Sequence, residues 1–166
     1  GYYLIPESYQ DHSIRLYKAD SFPTHWSFVK RIITGRDYVD NSIIYYNGKW
    51  WLFSSITSND KLYLQYADTL TGPWKEHPLS PIVSGDVHKA RPSGRMLIYK
   101  GKLYRFTMDV NPPFGNHRVM AYEITHITPT SYSEKLAQDA PVVMPSGSGW
   151  NGDGMHQLDP EQLDSD

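Results

Sequence analysis

Two short elements recur in this chain at nearly fixed spacing, and that recurrence restricts the fold more than any other feature. Leu16, Ala19, Asp20 and Trp26 return as Leu64, Ala67, Asp68 and Trp74, an offset of 48. Tyr46-Asn47-Gly48-Lys49 leading to Phe53 returns as Tyr99-Lys100-Gly101-Lys102 leading to Phe106, an offset of 53. A period of about 50 residues is one supersecondary unit, which buries its apolar faces by stacking on copies of itself.

The order inside each unit is readable. An apolar strand (Ser42 to Tyr45; Met96 to Tyr99) meets a tight turn at Asn47-Gly48 or Lys100-Gly101. Asn-Gly is a favoured two-residue hairpin turn because both residues accept positive φ. A second strand follows (Trp50 to Ser54; Leu103 to Thr107), then a polar loop and a third strand (Leu62 to Ala67; Arg118 to Ile124). A short polar fourth strand is expected at or after the recurring Trp. Useful helical periodicity is absent. Four strands in a meander, repeated, describe a blade of an all-β propeller. A sandwich would not repeat an Ala-Asp…Trp element, and a solenoid coil is usually shorter.

The units run over about residues 1–36, 37–86 and 87–145, with the start of a further blade at 150–166. In register, Tyr2 to Ser8 aligns with Trp50 to Ser55, a second strand, so the first unit is expected to lack its innermost strand. About three blades are too few for closure, which takes at least about four. The expectation is therefore an incomplete segment, its remaining blades supplied by a longer parent chain or a neighbouring subunit.

Composition narrows the partners. Net charge is −2, and no basic cluster suggests a nucleic-acid footprint. The absence of cysteine excludes a disulfide scaffold and thiolate metal sites. No apolar run reaches membrane-spanning length. Aromatic residues make up 14% of the chain, with 13 Tyr and 5 Trp. Such rings suit pleated sheets, and they also stack on the apolar faces of sugars.

In a propeller the inner strands line a central channel, so polar residues at their ends are the candidates. Asp40, before the second unit's inner strand, is placed as a general base or a sugar-hydroxyl acceptor, or as an Asx-turn cap. Arg91 holds the corresponding point of the third unit, within His88-Lys89-Ala90-Arg91-Pro92-Ser93-Gly94-Arg95. With His88 it suits a carboxylate, phosphate or anionic sugar, or a solvated loop. Glu7 is either an acid catalyst or an edge residue pairing with Arg15. His156 and Asp159, read as strand residues, face opposite ways. Arg105 and Asp109 are substrate-binding candidates, with a structural ion pair as the alternative for Arg105. Trp26 and Trp74 recur and read as blade packing. Of Trp50 and Trp51, one should point inward and the other between blades. Trp150, in a Ser/Gly-rich loop, is a candidate sugar platform. No carboxylate-histidine cluster has metal-ligand spacing, and no cofactor motif is present.

An ordered set of residues carries a resemblance over roughly residues 2 to 160. It comprises Pro6-Glu7-Ser8, Leu16 to Asp20 with Phe22-Pro23 and Trp26, and Val39-Asp40 with Asn47 to Phe53. It continues with Gly72-Pro73-Trp74-Lys75-Glu76-His77-Pro78, Ala90 to Gly94, Leu103-Tyr104-Arg105, Phe114-Gly115, Ile124, Ile127-Thr128, Tyr132 and Glu134. The chain resembles the N-terminal propeller-like domain of glucosamine inositolphosphorylceramide transferases and related bacterial and algal proteins. That domain is similar to the five-bladed propellers of family 43 and family 32 glycoside hydrolases. The resemblance implies a five-bladed type and a carbohydrate-related role. Family 43 enzymes use an inner-strand Asp as base, a second Asp to tune and orient, and a Glu as acid. Only Asp40 matches such a position cleanly; Arg91 stands where a carboxylate is expected, and Met108 where relatives often carry Gln.

Three functions follow as alternatives. The first is a glycoside-processing propeller, hydrolase-like or associated with a glycosyltransferase. The second is a non-catalytic glycan-binding or structural module of an extracellular assembly. The third is a protein-interaction platform. The expected partner is a glycan or glycoconjugate, in the extracellular space or the secretory-pathway lumen.

Overall fold

A computed structural model describes residues 1–110 and 117–161. The Phe114-Gly115 part of the family pattern and the last five residues of the expected further blade lie outside the described residues. Among the described residues there is no α-helix, and the strands form three antiparallel meanders. The first sheet holds β1 (Tyr3–Leu4), β2 (Ser13–Ser21) and β3 (His25–Thr34) in that order. The second holds β4 (Tyr38–Tyr46), β5 (Lys49–Ile56), β6 (Lys61–Ala67) and β7 (Lys75–Glu76), with β8 (Val83–Ser84) also paired to β6. The third holds β9 (Leu97–Tyr99), β10 (Lys102–Asp109), β11 (Arg118–Thr128) and β12 (Ser131–Leu136). Among the described residues the sheets do not close into a ring.

The two repeated hairpins have the same backbone. Asn47 and Gly48 sit at φ 50 and 76, and Lys100 and Gly101 at 49 and 76. Positive φ at both central residues gives the turn whose twist matches the flanking strands.

Packing explains the apolar runs in β5 and β6. Alternate residues point to opposite faces. Trp51, Phe53, Leu62 and Leu64 face the third sheet and join Met96, Leu103, Ile124 and Ile127 in one core. Leu52 and Tyr63 face the first sheet and join Ile14, Leu16, Ile32 and Tyr38 in another. The middle sheet is therefore buried on both faces, and its strands read as near-continuous apolar stretches. Trp51 is 1% exposed and its indole N–H donates to the Tyr46 carbonyl at 3.0 Å. Trp50 is half-buried beside Tyr45.

The family element around Trp74 proves to be structural in part. Trp74 packs on the core between the first and second sheets. His77, 1% exposed, lies against the third sheet. The Leu79 N–H donates to His77 Nδ1 at 3.2 Å, so Nε2 carries the proton and donates to the Thr128 carbonyl at 2.9 Å. Trp26, at the matching position of the first unit, keeps the local indole hydrogen bond, to the Pro23 carbonyl, and packs edge-on against Phe22.

Two expectations need correction. The fourth strand is short in the second unit, but β3 runs for ten residues because it pairs with β2 along nearly its whole length through three register shifts. Residues 155–161 carry no strand. The Met155 N–H donates to the His117 carbonyl at 2.7 Å and the Leu158 N–H to the Ser93 carbonyl at 3.1 Å. Single bonds to two different partners make a strap, without the ladder that would set His156 and Asp159 on opposite faces. Gly94 permits the strap's approach: a Cβ there would lie 2.0 Å from the Leu158 carbonyl oxygen.

Truncating Trp51 to Ala should cost about 4 kcal/mol of stability, because a fully buried indole is lost from a core wedged between two sheets. Trp150, 89% exposed, should lose less than about 0.5 kcal/mol on the same change. Urea unfolding of both variants measures the contrast.

Candidate functional site

Strand polarity gathers the polar candidates at one rim. The start of β4 pairs with the end of β5, Tyr38 opposite Ile56. In the third unit Pro92 bridges Thr107, near the end of β10. Residues just before an inner strand and just after a second strand therefore share an edge. Asp40, Arg91 and Asp109 lie there, and Glu7 follows β1 to the same place.

A bulge aims Asp40. Val39 pairs with Ser55 and Ser42 with Phe53, so Asp40 and Asn41 together oppose Ser54. Asp40 takes a left-handed backbone, φ 48, which Asp tolerates better than most residues. The bulge re-aims the side chain. Asn41 is pinned by the Ser54 hydroxyl, which donates to its side-chain oxygen at 2.7 Å. Asp40 does not cap a turn. Its carboxylate accepts from Arg91 Nε, while Arg91 Nη1 donates to the Asn59 side-chain oxygen at 3.1 Å. The two side chains are 10% and 22% exposed. A pair so shielded is costly to split, since the survivor is left a poorly solvated charge.

Glu7 Oε2 accepts from the Asp40 backbone N–H at 3.4 Å. The edge pairing expected between Glu7 and Arg15 is not made, because Asp11 binds both Arg15 and Arg31. His156 lies at the same rim, open to solvent on one side and partly covered on the other. Partial burial of its ring lowers its pKa; Asp40 pulls the other way, while Arg91 and His117 reinforce the lowering. Below the rim opens a cleft of about 480 Å³ between the first and second sheets. Tyr3 and Trp50 wall it, Asp40 and Ser42 supply oxygens, and Arg95 and Asp159 edge it as an exposed ion pair.

Asp109, 3% exposed, forms a second cluster on the rim. It accepts from His88 Nδ1 at 2.7 Å and from Arg118 Nε at 2.9 Å. Arg118 was not legible as a partner, since the residues between β10 and β11 hide the pairing that puts it opposite Asp109. Asn59 was missed because it sits in the polar turn between β5 and β6, without any motif. Among the described residues no group of three or more His, Asp or Glu side chains could hold a metal ion.

Arg105 belongs elsewhere. It is 2% exposed and grips Glu134 with two hydrogen bonds, 2.5 and 2.7 Å, while its third nitrogen donates to the Lys89 carbonyl at 3.1 Å. With all three nitrogens engaged and almost no exposed surface, Arg105 makes the structural ion pair that was the alternative to its reading as a substrate contact. Trp150 lies on a short turn, Gly149–Asn151, and does not line the cleft.

The comparisons with known proteins agree with this architecture. The family described as "Glucosamine inositolphosphorylceramide transferase 1, N-terminal" matches residues 1–166. The glucosamine inositolphosphorylceramide transferase 1 of Oryza sativa subsp. indica is 33% identical over 171 residues, covering 98% of this chain and 23% of that protein. The chain thus spans about a quarter of that relative's length. Among solved structures, a thermostable family-43 glycoside hydrolase aligns with TM-score 0.64 at 16% identity, over 87% of this chain and 49% of that one. Zg3597, a family 117 glycoside hydrolase of Zobellia galactanivorans, aligns with TM-score 0.57 at 16% identity, over 80% and 43%. At these identities the structures establish a shared propeller-type fold and nothing about chemistry.

Glu134 offers a pH test of the buried pair. Burial pushes its pKa up, but Arg105 and the Tyr132 hydroxyl, with Lys89, outweigh that and hold it at about 2, below the ordinary 4.5. A depressed carboxyl pKa stabilises the folded state above the ordinary value, and that stability is lost as pH falls. We expect about 3 kcal/mol to disappear between about pH 4.5 and 2 in the unmodified protein. Glu134→Gln should lose most of this at pH 7 and flatten the acid limb. Denaturant titrations across pH check both.

Proposed function

This chain belongs to the glucosamine inositolphosphorylceramide transferase 1 N-terminal family, and from that premise we propose that it is a glycan-binding module of a glycosyltransferase, holding a saccharide headgroup at the Asp40–Arg91 rim. One observation carries the reading: the Asp40 carboxylate is already ion-paired with Arg91 at the mouth of a cleft walled by Trp50 and Tyr3. A carboxylate held on one side by a guanidinium keeps further lone pairs with which to accept hydrogen bonds from sugar hydroxyls. Arg91, correspondingly, offers charge-assisted donors to a carboxylate or phosphate. The aromatic walls suit the C–H faces of a pyranose. The relatives' name joins glucosamine to an inositolphosphoryl lipid, and a headgroup of sugar, inositol and phosphate matches both halves of this surface.

The glycoside-hydrolase reading is favoured by the fold likeness and by the arrival of Glu7 beside Asp40. It needs two carboxylates facing each other across room for a substrate bond, about 5 to 9.5 Å apart. Glu7 instead approaches Asp40 from its backbone side.

Calorimetric titration with glycosyl inositol phosphates should show saturable binding. Asp40→Asn should weaken it about tenfold or more, the loss of a charge-assisted acceptor. Absence of binding would sink the proposal. Cleavage of any glycan by the unmodified protein, abolished in both Asp40→Asn and Glu7→Gln, would replace it with the hydrolase reading.

A further inference from the structure

A second polar site lies between the first and second sheets, lined from β3, β6 and β7 and by Tyr38 of β4. Gln65 sits on β6 and shares its face with Tyr63. It pairs with Leu52 on β5 and Glu76 on β7, so its side chain points toward the first sheet. Gln65 is 2% exposed, yet neither its amide nitrogen nor its amide oxygen has a hydrogen-bond partner. Buried amides are almost always paired, and an orphaned one is costly.

The surroundings show why the amide is hidden. Gln65 lines a pocket of about 300 Å³ together with Thr34, Arg36, Tyr38, Trp74 and Glu76. The Arg36 guanidinium lies 4.2 Å over the Tyr63 ring and donates to the Tyr38 hydroxyl at 3.0 Å. It also grips Glu76 at 2.5 and 3.2 Å. Tyr63 neighbours Gln65 along β6 and Glu76 faces it on β7, so the guanidinium that bridges Tyr63 and Glu76 lies beside the amide. Arg36 and Glu76 are 35% and 40% exposed, and ion pairs so exposed open at little cost.

We propose that this pocket is a second binding site, for a single neutral sugar ring, with the Arg36–Glu76 pair as its lid. The Gln65 amide, one donor side and one acceptor, takes two adjacent hydroxyls. The Trp74 indole supplies the apolar wall for the ring's C–H face. When the lid opens, Arg36 and Glu76 hold further hydroxyls with the same atoms that now hold each other. The ligand is neutral because Arg36 and Glu76 cancel, and Arg31, also in the lining, is held by Asp11. Nothing in this assignment uses the Asp40 rim.

The test uses the whole chain, isotope-labelled, and titrates it with the methyl glycosides of glucose and galactose. The side-chain NH₂ signals of Gln65 should shift saturably with at least one of them. Gln65→Leu should weaken that binding about tenfold or more, whereas Asp40→Asn should leave it unchanged. If neither glycoside moves the Gln65 signals, or if Gln65→Leu binds as the unmodified protein does, the site is refuted. The NMR titration of the unmodified chain decides the matter even if the variant folds poorly. A loss of rim binding in Asp40→Asn, read separately, bears only on the rim.

Discussion

The burial of the middle sheet on both faces is the constraint from which the rest follows. Trp51, Phe53, Leu62 and Leu64 on one side and Leu52, Tyr63 and Tyr38 on the other leave that sheet no solvent face. The first and third sheets must therefore stack against it, and the stacking fixes where their strand ends arrive. Asp40 from the second sheet meets Arg91 from the third and Glu7 from the first because those cores set the spacing between sheets. Polar contacts between sheets, such as His77 to Thr128, trim an arrangement that apolar burial has already imposed.

Much of this was legible in the amino-acid order. The repeat of Leu, Ala, Asp and Trp marked equivalent strands, and the Asn-Gly and Lys-Gly turns located both hairpins. Asp40, Arg91 and Glu7 could be placed near one edge because strand direction follows from the meander. What stayed hidden depended on partners distant in sequence. Arg105 reads as a substrate contact or a structural ion pair until Glu134, 29 residues on, is seen beside it. The bulge at Asp40 leaves no mark in composition, yet it re-aims the carboxylate that meets Arg91. The strap at 154–158 was hidden because its bonds go to His117 and Ser93 rather than to a neighbouring strand. Gln65 was unremarkable as a polar residue in a strand until its surroundings left the amide unpaired.

The three acidic positions illustrate how neighbours decide chemistry. Glu134 is buried and paired for stability. Asp109 is buried between His88 and Arg118 on the rim. Asp40 combines a shielded ion pair with a place at an aromatic-walled cleft, and the binding role is proposed for it. The fold shared with glycoside hydrolases supplies the scaffold, and what it does is decided by the side chains at the rim.

The meander connectivity also has a kinetic consequence. Apart from β8 on β6, the sheets pair strands that are adjacent in sequence, so each should form early, hairpin by hairpin. The Asp40–Arg91 pair joins residues 51 apart and crosses from one sheet to the next. It can appear only when preformed sheets dock. The rim is thus assembled in the last step of folding and is the first part disturbed when sheets slip, so its integrity reports on docking rather than on secondary structure.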